Sequence, residues 1–158
     1  MSDAAFKYPR SRLALVAVVL EVILGLGAIG GGLALMLGPH GEVLPLPVFL
    51  LKGSPFQSYF VPGLILLTLI GIGPLVAAVF AWRQQRWAPF LTLAVGIALL
   101  GWMTVEIYLI GYSSTPPLQP IYIGLGLAIT GVGIAWLWRT GPVVRTLSGD
   151  VPSARGPL

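Results

Sequence analysis

The sequence predicts an all-α integral membrane protein: a bundle of four transmembrane helices with a long outer loop between helices 1 and 2. Three observations predict it. Of 158 residues, 56% are hydrophobic and only 9% are charged, with a mean hydropathy of +0.92, far from the composition of a soluble domain. Four apolar runs reach the length of about 20 residues that a hydrocarbon core about 30 Å thick demands. The basic residues, finally, divide eight to one between the two sides those runs define.

Residues 1–12 form a short polar segment carrying Lys7, Arg10 and Arg12. The first span follows at 13–37, interrupted only by Glu21. It is too long for the apolar core of a signal peptide, and no small-x-small cleavage site follows, so it reads as a retained first helix. Within it Ala14, Ala17, Glu21, Gly25, Ala28 and Gly32 step by three and four and share one face. All but the glutamate are small, which lets helix backbones approach closely. Glu21 is therefore expected to face another helix, in the bundle or across an oligomer interface.

The outer loop, 38–58, holds Pro45 and Pro47, which forbid a long helix, and an apolar stretch Val43–Leu51 too short to span. It is expected to lie on the outer interface or over the bundle mouth. The second span, 59–82, contains Gly71-Ile-Gly73-Pro74 at its middle, where proline removes one backbone donor and the helix should kink. The tight connection Arg83-Gln-Gln-Arg86 leads to the third span, 89–112, and a short turn at Ser113–Pro117 leads to the fourth, 118–138. The tail, 139–158, is rich in Gly, Pro, Ser and Arg without apolar periodicity and is expected to be disordered.

With four spans, both termini and the Arg83–Arg86 loop share a side with Lys7, Arg10, Arg12, Arg139, Arg145 and Arg155, leaving Lys52 alone opposite. The positive-inside rule then puts both termini in the cytoplasm. Trp82, Trp87, Trp136 and Trp138 fall at the inner boundary and Tyr59 and Tyr112 at the outer one, as an aromatic belt would. Topology accounts for the basic pI near 9.9, so no nucleic acid is implied. Arginine far outnumbers lysine and asparagine is absent, the composition expected of a GC-rich bacterium and hence of its inner membrane.

Glu21 and Glu106 are the only ionisable residues inside the spans, and intramembrane acids are functional candidates by default. Counting about 1.5 Å per residue puts Glu21 near mid-depth and Glu106 nearer the outer face, separated by roughly 10 Å, too far for shared proton chemistry without a water chain. Helices joined by a short turn are antiparallel neighbours. Glu106 is therefore expected to hydrogen-bond Tyr122 or Gln119, with Trp102 covering the pair. The lone histidine, His40, sits two residues before Glu42 in the outer loop. Metal sites need three or four ligands, and cysteine is absent, so no metal or other cofactor is expected. Nucleophile elbows, phosphate loops and triad orders are missing too, which lowers the enzyme reading.

The first-helix pattern Leu13-Ala-Leu-Val-Ala-Val-Val-Leu-Glu21-Val-Ile looks like the first helix of the small multidrug resistance transporters. That resemblance implies a glutamate that binds protons and cationic drugs in turn. The combination Trp102-x-x-x-Glu106, Gly111 and Leu-Gln-Pro-Ile-Tyr122-x-x-x-Gly126 resembles uncharacterised small four-helix membrane proteins of high-GC bacteria, a likeness that implies no activity. Three functions are compatible with the residues. The expected one is a non-enzymatic accessory subunit or a binder of lipid or another hydrophobic molecule, with an outer-leaflet polar site around Glu106. The alternatives are a proton-coupled transporter using Glu21 or Glu106 as an oligomer, and a membrane enzyme acting on lipid head groups. Membrane lipids are the expected partners, with a homo-oligomer or larger membrane complex formed through the small-residue helix faces.

Overall fold

The computed structural model describes residues 11–44, 46–112 and 117–140. Among these every regular element is helical, and four helices are long and apolar enough to cross a membrane. We number them α1 (Arg12–Leu37), α2 (Phe60–Trp82), α3 (Ala88–Ile110) and α4 (Leu118–Thr140). Four such helices make this a multi-pass membrane protein. The basic segment 1–10, the turn at 113–116 and the tail 141–158 lie outside the described residues, and so does the expectation of disorder in that tail.

Each boundary has a local cause. Helix α3 stops at Ile110, before Tyr112, because Gly111 takes φ 82°, a left-handed conformation that costs glycine nothing and ends a helix. At the other end of α3 the connection turns tightly through Gln84 at φ 52°. There Arg86 lies 5.4 Å over the Trp87 ring, beside Phe90.

The packing joins α1 to α2 and α3 to α4 most extensively, and the two pairs then close into one bundle. Small residues set both crossings. A Cβ added to Gly32 would stand 2.8 Å from the Gly63 carbonyl oxygen, and one on Gly63 would stand 2.8 Å from the Gly32 oxygen, so α1 and α2 meet backbone to backbone. Between α3 and α4, a Cβ on Gly133 would stand 2.7 Å from the Leu93 amide nitrogen. Lipid chains are as apolar as leucine, so such close approach, rather than a hydrophobic driving force, binds helices here.

Two apolar layers fill the interior. Leu24, Ala28, Ile70, Leu99, Met103 and Ile129 form one, with Trp102 and Tyr122 packed against it. Ala14, Ala17, Ala81, Ala88 and Trp136 form the other, at the end where Arg12, Arg83, Arg86 and Arg139 lie. Trp136 therefore does not belong to an interfacial belt: four alanines leave room for an indole, and it fills that room at 5% exposure. Tyr59 is similarly withdrawn, its hydroxyl donating to the Pro47 carbonyl oxygen at 3.0 Å. Trp82, Trp87, Trp138 and Tyr112 are exposed.

Helix α2 is not merely kinked at Pro74. Residues Leu66–Ile72 widen into a π-helix, with the Gly73 amide bonded to the Thr68 carbonyl. The wide turn follows from the proline, whose ring would collide with the Ile70 carbonyl of a regular helix. In the outer loop, Val48–Leu51 form a single 3-10 turn that packs on α3, with Leu51 buried and Phe49 exposed. The Tyr59 amide bonds the Pro39 carbonyl at 2.8 Å and draws the loop's two ends together.

Candidate functional site

One stripe of α3 carries the polar residues of the interior. Thr92, Gly96, Leu99, Met103 and Glu106 recur at intervals of four and three, and the first four are buried. Glu106 continues that inward-facing stripe. It is only partly buried, because it lies four residues from the end of α3, at the bundle mouth on the loop side. Its carboxyl turns toward α4, where Gln119 meets it.

At this mouth the structure brings Glu106, Gln119 and Trp102 together. Gln119, 6% exposed near the start of α4, donates its amide to the Glu106 Oε1 at 3.3 Å and to the Gly111 carbonyl oxygen at 3.2 Å. The first contact is long for a hydrogen bond, so the second shares the work of holding the amide. The turned-back carbonyl of Gly111 and the carboxylate together fix where α4 begins against α3. The Trp102 indole is the third member: it lies beside the Glu106 carboxylate, yet its Nε1 is buried without closing a hydrogen bond. Both described neighbours of the carboxylate are therefore donors, complementary to the acceptor that Glu106 itself provides.

Tyr122 is not part of this contact. Its hydroxyl points at α1, 3.2 Å from where a Cβ on Gly27 would stand, and its ring packs on the apolar layer below. The reason is reach: Gly27 leaves a gap on α1 that the phenol fills. His40 is also apart, exposed in the outer loop. Its amide donates to the Glu42 Oε2 at 2.9 Å, and its Nδ1 lies 3.5 Å from Oε1. The backbone N–H groups of Glu42 itself and then of His40 hold the Glu42 carboxyl below the usual range. Among the described residues no three His, Cys, Asp or Glu side chains come together as metal ligands would.

Glu21 is fully buried in the stripe Ala14, Ala17, Leu24, Gly25, Ala28 and Gly32, between the two apolar layers. Thr92, also fully buried, is the polar side chain beside it. Neither oxygen of the carboxyl nor the threonine hydroxyl closes a hydrogen bond. Two hollows on α1 are lined by other residues, one of about 10 Å³ beside Ala14 and Ala81, the other an open apolar groove over Leu15, Val16, Val19 and Leu20.

Thr92, the polar neighbour of Glu21, lies fourteen residues before Glu106 on α3, about 21 Å of helix, so the two acids occupy separate sites. Helical side chains lean toward their N-terminus, which on α1 lowers the Glu21 carboxyl toward the basic end. Thr92 was legible as the lone hydroxyl on the Glu106 stripe, whereas the Gly111 carbonyl had no sequence signature.

No protein-family model, curated protein or solved structure matches this chain. Function has to be read from its own side chains.

Proposed function

We propose that this is a non-enzymatic membrane protein, an accessory subunit or a binder of a lipid or another hydrophobic molecule, with its polar site around Glu106 in the outer leaflet. The observation that carries the reading is the contrast between the two acids. Glu106 is partly exposed near the loop-side end of α3, one oxygen held by Gln119, whereas Glu21 is fully buried among small residues. A partly exposed carboxylate near the membrane surface can orient a passing head group or a partner's polar side chain. A fully buried one is not placed to meet cargo, so the transport alternative has less support. The charge division supports cytoplasmic termini and an outward-facing loop, and the composition supports a bacterial inner membrane.

The test is mass spectrometry of the protein purified in mild detergent. Wild type is expected to carry a lipid or a subunit that Glu106→Ala loses. Identical co-purifying species in both would remove Glu106 from the site, and a bare wild-type protein would remove the binding reading.

A further inference from the structure

The mouth site has a definite chemical complement. Glu106 is the only acid in the loop-side half of the spans, and no described residue supplies it with a countercharge. The described cations Arg12, Arg83, Arg86 and Arg139 all lie at the opposite end, Lys52 is exposed in the loop, and His40 is engaged with Glu42. The side chains that do touch the carboxylate, Gln119 and Trp102, are neutral donors. Two neutral donors position the group without neutralising it, and a carboxylate with about four lone-pair sites that is partly exposed can accept from a further donor. A bare metal ion fits poorly, because among the described residues no second acid or histidine joins the site. An organic ammonium fits better: it brings its own N–H donors, and Trp102, partly buried against the apolar layer, is the kind of aromatic side chain on which such cations rest.

Depth selects the source. Glu106 lies four residues, about 6 Å, below the last turn of α3, within reach of the head-group layer. Resting on the functional reading above, we infer that Glu106 receives the primary ammonium of a zwitterionic phospholipid head group, of the ethanolamine type, in the leaflet at the loop end. A quaternary head group offers no N–H to the carboxylate, and an anionic one is repelled by it.

The inference predicts selective retention. The full chain is reconstituted in vesicles of phosphatidylethanolamine, its N-methyl and N,N-dimethyl forms and phosphatidylcholine in equal parts, then extracted gently, and the retained lipid is quantified. Wild type should enrich the primary amine over the quaternary one by about fivefold, the worth of a partly exposed ion pair, with retention falling at each methylation. Glu106→Gln should return all four to their bulk proportions. A flat methylation series in wild type, which involves no variant and so no question of folding, overturns the inference. So does a preference that survives Glu106→Gln in a protein that stays folded by its circular dichroism. Glu106-dependent retention of lipids irrespective of the amine would sink the amine alone and leave the amphiphile-binding reading intact. Retention of no lipid through Glu106 would sink both.

Discussion

Glu21 is the residue whose burial is hardest to justify by packing. A polar group taken out of water without closing its hydrogen bonds costs about 1–3 kcal/mol, and all three oxygens of Glu21 and Thr92 are in that position. If burial is only a liability, Glu21→Leu should raise the melting temperature in detergent by about 2–8 °C. A fall instead would show that the carboxyl contributes to the fold. At Glu106 the expectation differs. Gln119→Leu removes the clamp between the carboxylate and the Gly111 carbonyl, and intramembrane hydrogen bonds average about 0.6 kcal/mol. A small loss of stability, at most a few degrees, should accompany that change, and a large one would mean that Gln119 organises more than the mouth.

At the scale of the element, glycines divide sharply into those a helix crossing needs and those it does not. A methyl on Gly32 meets the Gly63 carbonyl, which is backbone and cannot swing aside, whereas Gly30 has open space around it. Gly32→Ala should therefore cost about 1–3 kcal/mol by overpacking, while Gly30→Ala should be neutral or slightly stabilising, since alanine favours the helix. Equal melting temperatures for the two variants would refute the α1–α2 crossing. The small stripe of α1 was legible in the sequence because every third or fourth residue carried it. So were the four spans, which composition and length alone define. The burial of Trp136 was not, because a tryptophan near a helix end reads as interfacial until the alanines of three other helices are known to surround it. Tyr122 failed similarly: its position on α4 said how deep it lies but not that Gly27 on α1 would accept it. Contacts between helices distant in sequence leave no periodic trace.

For the whole molecule the checkable statement is topology. The described helices alternate in direction, placing Arg12, Arg83, Arg86 and Arg139 at one end and Lys52 at the other. With cytoplasmic termini, an alkaline phosphatase fusion after Arg139 should be inactive, and a fusion in the 38–58 loop should be active. The reverse pattern would invert the bundle and move the Glu106 mouth to the inner leaflet.

The π-helical stretch gives α2 a property its neighbours lack. Each residue there advances the helix by a smaller angle than in a regular turn, so Leu66–Ile72 sets the phase between two otherwise regular halves. One half presents Gly63 to α1, and the other presents Ala81 to the basic-end core. A wide turn holds about one residue more than a regular one, so deleting a single residue inside the stretch would tighten it to regular helix and leave the two halves in nearly the same phase. Gly63 would still meet Gly32 while Ala81 stayed in place. The same deletion in α1, which has no wide turn to absorb it, would rotate its two halves against each other by about 100°. Helix α2 thus carries one residue to spare where α1 carries none.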